Sequence, residues 1–273
     1  MAALLDDTPS NHVKTLFISD IHLGARGCNA EAFLDFLKHY DADTIYLVGD
    51  IIDCWRLKAA WYWPDLHNVV VQKFLRKARK GTRIVYVPGN HDELVRDYDG
   101  LNFGGIEIAN EVKLRLVDGR TALILHGDKF DTVVRNMKWL AHFGDWAYDF
   151  AIYINRYLNL IRRKLGMPYW SFSAAAKSKV KQAVNFIGAF EEAVVADANH
   201  QGAQVVICGH IHQAAARQIG PIFYMNCGDW VESRTAIAEH FDGTLELIRW
   251  DAVAAHQNSS QTPANASALQ TAS

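Results

Sequence analysis

Thr15-Leu16-Phe17-Ile18-Ser19 runs straight into Asp20, and His22 stands two residues further on. A short apolar run of this kind, bounded by polar residues, reads as a buried strand. Four more runs end in the same way. Thr44-Ile45-Tyr46-Leu47-Val48-Gly49 leads to Asp50, and Arg83-Ile84-Val85-Tyr86-Val87-Pro88-Gly89 leads to Asn90-His91-Asp92. Thr121-Ala122-Leu123-Ile124-Leu125 leads to His126, and Val205-Val206-Ile207-Cys208-Gly209 leads to His210, with His212 following. Ligands of an open α/β sheet bind in the crevice beyond the carboxyl ends of its strands. If the five strands share a sheet, one site receives two Asp, one Asn and up to five His.

That set of side chains has the chemistry of a metal centre. Residues two apart in an extended segment point the same way, so Asp20 and His22 can meet one ion, and so can His210 and His212. Asp50, exposed after Gly49 at a second strand tip, is a carboxylate able to bridge two cations. Asn90 adds a neutral amide oxygen, and His126 an imidazole. Mixed oxygen and nitrogen ligation without thiolate suits Mn²⁺ first, with Fe or Zn also fitting, and disfavours Ca²⁺. Two ions about 3.5–4 Å apart would clamp the attacking and leaving oxygens of a phosphoryl displacement and lower the pKa of a bridging water. Taken singly, a strand-end Asp is more often a helix cap, and a buried His more often a hydrogen-bonded core residue. The recurrence in chain order carries the metal reading.

The rest of the chain frames this site. Helical stretches from Ala30 to Tyr40 and from Val69 to Lys80 alternate with the strands, which predicts an α/β sheet with helices on its faces. Hairpin-like runs follow at Ile222 to Asn226, Thr235 to Glu239 and Leu245 to Trp250. The main domain is expected over 14–254, with flexible termini at 1–13 and 255–273. The amino terminus has no secretory pattern, and no apolar run is long enough for a membrane span. A net charge of -2 gives no nucleic-acid signal. Cys28, Cys54, Cys208 and Cys227 form no CxxC pair and read as reduced thiols.

Residues 129–181 differ. They hold ten Lys/Arg against three Asp, a charge of +7 in a chain that is otherwise -9, with apolar residues at helical spacing. A helical insertion is expected there. It is either a basic, amphipathic cap for an anionic, partly apolar substrate or a membrane surface, or a helical hairpin with a solvated face. Arg135, Trp139, Arg162, Arg163 and Lys164 are its candidate substrate-binding residues; the last three serve equally as a helix end complementing its dipole. Trp61-Tyr62-Trp63-Pro64 reads either as a packed loop or as the lining of a base or acyl pocket.

Ser19-Asp20-Ile21-His22, Gly49-Asp50, Gly89-Asn90-His91-Asp92, His126-Gly127-Asp128 and Gly209-His210-Ile211-His212 resemble the successive motifs of calcineurin-like metallophosphoesterases. The resemblance spans about 15–230. It implies a four-layer α/β/β/α sandwich with a dinuclear site. Asp20, His22, Asp50 and His212 would hold one ion, and Asp50, Asn90, His126 and His210 the other. His91 would stabilise charge or protonate the leaving oxygen, oriented by Asp92. Within the family, Gly49-Asp50-Ile51-Ile52-Asp53-Cys54-Trp55, the helical insertion and Asn226-Cys227-Gly228-Asp229-Trp230 are similar to the branch that cleaves the diphosphate of UDP-2,3-diacylglucosamine, a lipid A precursor, to lipid X and UMP. The similarity implies a lipid-linked nucleotide substrate, a cap over acyl chains, and a cytoplasmic protein peripheral to a bacterial inner membrane. The best-known form of that branch has Arg where this chain has His91. A soluble metallophosphodiesterase or nucleotide phosphatase with another substrate is the alternative, and a non-catalytic scaffold a third class. The complete ligand set argues against the scaffold.

Overall fold

The computed structural model describes residues 11–131 and 174–251. The chain forms two compact units, residues 1–126 with 203–273, and residues 127–202.

Among its described residues the first unit carries twelve short strands: β1 (Asn11–Ile18), β2 (Tyr40–Val48), β3 (Arg83–Val87), β4 (Asn102–Phe103), β5 (Ile106–Ile108), β6 (Val112–Arg115), β7 (Thr121–Ile124), β8 (Val205–Cys208), β9 (Ala215–Ile219), β10 (Ile222–Asn226), β11 (Thr235–Glu239) and β12 (Leu245–Arg249). They make two mixed sheets, ordered β12-β11-β1-β2-β3-β5-β4 and β6-β7-β8-β10-β9. The five ligand-bearing strands therefore do not share one sheet. β1, β2 and β3 run parallel in the first, while β7 and β8 run parallel in the second. Periodicity identifies strands but carries no information on which sheet each joins. The runs at 222–226 and 235–239 likewise fall in different sheets; the hairpin partner of β10 is β9, and that of β11 is β12.

Inside the apolar runs, side chains still alternate in period two. Phe17, Tyr46, Val48, Val85 and Val87 meet Ala122, Ile124, Val205, Ile207 and Met225 between the sheets. Leu16, Ile18, Ile45, Leu47 and Ile84 face the other way, onto helices α1 (Ala30–His39) and α3 (Asp65–Arg79), through Phe33, Phe36, Val70 and Phe74. Three layers, α/β/β, are thus built within this unit. A short helix, α2 (Cys54–Ala59), follows β2 and is capped by Asp53, which accepts from the Arg56 amide at 2.9 Å. No α-helix separates β3 from β7; a 3₁₀ turn at Glu93–Tyr98 and β4–β6 fill the interval.

Two boundaries differ from expectation. β1 begins at Asn11, inside the stretch read as a loose leader, because Asn11, His12 and Val13 pair with Tyr40, Asp41 and Ala42 of β2. In the second unit, helix α4 (Ala174–His200) runs past residue 181, since 182–200 is rich in alanine and free of proline. Within that unit Phe130 meets Phe190 edge-on at 6.3 Å, and Lys129 pairs with Asp197 at 3.0 Å. Arg135, Trp139, Arg162, Arg163, Lys164, residues 1–10 and the tail from 255 lie outside the described residues.

Candidate active site

Asp20, His22, Asp50, His210 and His212 all have positive φ, between 53° and 71° apart from Asp20 at 52°. Among the described non-glycine residues, only Arg234 shares that conformation. Left-handed backbone costs an ordinary residue roughly 1–2 kcal/mol, so five cases at strand ends mark a functional site. The loops carrying them are pinned together. Asp20 N–H donates to Gly49 O at 3.0 Å, His22 N–H to Asp50 O at 2.9 Å, and Gly209 N–H to His126 O at 3.1 Å. His210 N–H reaches the Asp20 carboxylate at 3.1 Å, joining the ends of β1 and β8. A Cβ on Gly89 would stand 2.3 Å from Asp50 Oδ1, and one on Gly209 2.5 Å from Asp20 Oδ2, so both carboxylates need glycine beside them.

Three groups of side chains bring ligand atoms within 4.8 Å of one another: Asp20 with His22 and His212, His22 with Asp50 and His91, and Asp50 with His126 and His210. In the first, His22 Nε2 and His212 Nε2 lie 3.2 Å apart, and Asp20 Oδ1 lies 3.2 Å from His212 Nε2 and 3.8 Å from His22 Nε2. Donors bound at about 2.0–2.2 Å to one ion stand roughly 3–3.5 Å apart, so this group fits a divalent cation. Asp50 Oδ2 faces both sides, 3.9 Å from His22 Nε2 and 3.3 Å from His126 Nε2. Asn90 Oδ1 is buried without a hydrogen-bond partner, and Asp20 Oδ1 has only ligand imidazoles beside it. A buried polar atom left unpaired is costly, and a cation would satisfy both.

The titration behaviour divides by ligand type. Burial alone would raise the Asp20 carboxyl, but the imidazoles of His212 and His22 and the field of His126 hold it well below the usual carboxylate range. Burial is likewise outweighed at Asp50, by His126, and its carboxyl is also lowered. His22 and His212 move up, because the pull of Asp20 exceeds the effect of burial. Ionised carboxylates at neutral pH suit metal binding, whereas His22 and His212 must be neutral to bind, so a cation competes with protons there.

His91 sits at the edge of this cluster, Nε2 3.9 Å from Asp50 Oδ2, with Trp55 lying over its ring at 4.2 Å between centroids. The carboxylate on its Nδ1 is Asp53, at 2.9 Å. Asp53 also reaches His22 Nδ1 at 3.3 Å. Asp92, expected to orient His91, turns instead into the protein. It accepts the amides of Gly89 at 2.6 Å and Ile51 at 2.8 Å and the hydroxyl of Tyr86, stapling the loops after β2 and β3. Burial, with the Asp50 charge, raises its carboxyl against the effect of Tyr86. Consecutive residues point apart, so His91 and Asp92 divide between site and core. The sequence reading missed Asp53, whose one visible signal is its place three positions after Asp50 in Gly49-Asp50-Ile51-Ile52-Asp53.

His22, His91 and His212 line a cleft of about 600 Å³, which continues past Asp53 and Arg56. Trp230, by contrast, is core, packed on Phe33 and Phe36 at 4.7 and 5.0 Å. Asp229 holds the turn beyond it by accepting the amides of Val231 and Glu232. The four cysteines are free thiols.

Residues 13–214 match the model of the calcineurin-like phosphoesterases. A UDP-2,3-diacylglucosamine hydrolase of Chromohalobacter salexigens is similar to this chain, with 29% identity over 237 residues, 81% of this chain and 90% of its own. A protein of the same name from Cellvibrio japonicus is 28% identical over 260 residues, 88% of this chain and 100% of its own. Among solved structures, Yfce, a phosphoesterase from E. coli, aligns over 86% of this chain and 98% of its own at 16% identity, with a TM-score of 0.40.

Proposed function

The chain belongs to the calcineurin-like phosphoesterase family, and on that premise we propose that it cleaves the diphosphate of UDP-2,3-diacylglucosamine to lipid X and UMP. The observation that carries this reading is the near full-length likeness to two proteins named as UDP-2,3-diacylglucosamine hydrolases. Asp20, His22, Asp50, Asn90, His126, His210 and His212 would hold two divalent ions, Mn²⁺ in the first place. When bound, such ions supply Lewis-acid polarisation of phosphoryl oxygens and an acidified water.

The remaining chemistry falls to the chain itself. Asp53 is held below its ordinary value, against burial, by hydrogen bonds from His91 and the Arg56 amide. An ionised Asp53 fixes the proton of His91 on Nδ1 and leaves Nε2 toward the cleft. From there His91, when Nε2 also carries a proton, stabilises charge gathering on the phosphoryl group or delivers that proton to the leaving oxygen. Trp55 covers the ring and limits its exposure to water. The basic stretch 129–181, with Arg135, Trp139, Arg162, Arg163 and Lys164, serves in this reading as a cap over the acyl chains and as a peripheral contact with the inner membrane. Its charge segregation supports that role. No helix among the described residues is long and apolar enough to cross a membrane.

The Mn²⁺-loaded chain, offered UDP-2,3-diacylglucosamine, cyclic nucleotides and bis(p-nitrophenyl) phosphate, is expected to turn over the lipid nucleotide most efficiently, with UMP and lipid X as products by mass spectrometry. Efficient cleavage of the soluble esters with no turnover of the lipid nucleotide would overturn the assignment. It would establish the soluble phosphodiesterase reading, which His91 in a Gly-Asn-His-Asp motif favours.

A further inference from the structure

The cleft runs away from His22, His91 and His212 along a wall that the hydrolytic chemistry leaves unused. Three aromatic residues in a row, Trp61-Tyr62-Trp63, link α2 to α3, and they divide their roles. Trp63 is a packing residue: its ring is partly buried against the core, and its indole N–H donates to Asn68 Oδ1 at 2.8 Å. Trp61 and Tyr62 line the cleft instead, and Trp61 is 77% exposed. The Arg26 guanidinium lies 4.6 Å over the Tyr62 ring.

The wall is anchored to the metal-ligand loop. His67 is buried, meets Tyr62 and Trp63 edge-on at 6.0 and 5.3 Å, and accepts the Gly24 amide on Nδ1 at 3.0 Å. Gly24 is two residues beyond His22. One imidazole thus fixes the aromatic wall against the loop that carries the candidate metal ligand His22.

The lining discriminates between ligands. An acyl chain laid here would desolvate the guanidiniums of Arg26 and Arg56 without pairing them, which is costly. A planar base joined to phosphate suits the aromatic rings and both guanidiniums, beside the small apolar side chains of Ala25, Ala59 and Ala60. An open indole face stacks on it, and the two guanidiniums take phosphate oxygens. The volume of about 600 Å³ lies within the range of small-molecule sites. We propose that Trp61, Tyr62 and Arg26 form a nucleobase platform that seats the nucleoside end of the substrate while its diphosphate reaches His22, His91 and His212. The proposal rests on the reading of the substrate as a nucleoside diphosphate ester, and it sends the acyl chains elsewhere.

The test is direct binding to the full-length, Mn²⁺-loaded chain by titration calorimetry, with UMP and ribose 5-phosphate as paired probes. UMP is expected to bind more tightly by about 5- to 150-fold, the range of base–aromatic stacking. The Kd ratio is expected to fall to within about twofold of one in Trp61→Ala and to be largely kept in Trp61→Phe and in Trp63→Phe. Because each variant supplies its own ribose 5-phosphate reference, altered folding or metal content does not mimic the loss. Equal affinities in the unmodified chain, or a ratio unmoved by Trp61→Ala, would overturn the platform. So would a second pair, lysophosphatidic acid against glycerol 3-phosphate, if its ratio were the one that collapses; the wall would then take acyl chains. A base preference lost in Trp61→Ala, in a chain that does not hydrolyse UDP-2,3-diacylglucosamine, would sustain the platform and remove only that substrate.

Discussion

Asp50 faces both halves of the ligand cluster through one oxygen, while its other oxygen accepts the His91 amide at 2.8 Å. No second carboxylate joins the His22 group to the His126 group among the described residues. Asp50→Ala is therefore expected to lose both ions together with activity; metal analysis of the purified variant reads it, and two ions retained would dismiss the bridging role. His91 belongs to the chemistry more than to metal retention, since Asp20, His22 and His212 converge without it. His91→Ala should lower kcat by about 10²–10⁴-fold, the usual worth of a proton-transfer group, with metal content near normal. Asp53 acts through His91 and is a positioning residue. Asp53→Asn keeps an acceptor for the Arg56 amide but removes the charge, so a smaller fall in kcat with a displaced pH–rate profile is expected. An unchanged profile would reduce Asp53 to a helix cap.

At the scale of elements, strands and loops differ in how plainly the sequence announced them. Each ligand-bearing strand was legible as an apolar run ending in a metal-binding residue, and α1 and α3 as stretches of helical spacing. Sheet membership was not, because β1 and β8 carry the same kind of apolar run yet lie in different sheets, and only long-range pairing separates them. The groups behind the ligands were hidden for a related reason: Asp53, not Asp92, meets His91, which depends on where a loop turns. What joins the sheets at the site is close backbone approach, and Gly209 is one of its tight points. A methyl there would meet Asp20 Oδ2 at 2.5 Å and Ser19 Oγ at 2.6 Å, both held in a buried network. Gly209→Ala should displace Asp20 and weaken metal affinity by tenfold or more, about 1.4 kcal/mol. The far strands should keep their packing, so thermal unfolding without metal should shift little. Titration of the apo chain with Mn²⁺ separates the two; unaltered affinity would show that the loop has room to give.

Over the whole molecule, the division into two units separates chemistry from the basic stretch. Every candidate ligand, together with His91, Asp53 and the cleft wall of Arg26, Trp61 and Tyr62, belongs to the unit formed by 1–126 and 203–273. Six Lys/Arg against two Asp fall within 132–173, and none of the ligands does. A surface hairpin does not need that bias, whereas an acylated, phosphate-bearing substrate at an anionic membrane gains from it twice, through apolar contact for its chains and cations for its head groups. Replacing 132–173 by a short flexible linker leaves α4 whole and the ligand set untouched. The variant is expected to retain its metal and its cleavage of bis(p-nitrophenyl) phosphate, and to lose hydrolysis of UDP-2,3-diacylglucosamine along with binding to anionic vesicles. Undiminished hydrolysis of the lipid nucleotide would end the cap hypothesis. Equal loss on both substrates in a folded, metal-loaded variant would end it as well, because the stretch would then be supporting the catalytic unit rather than selecting what enters it.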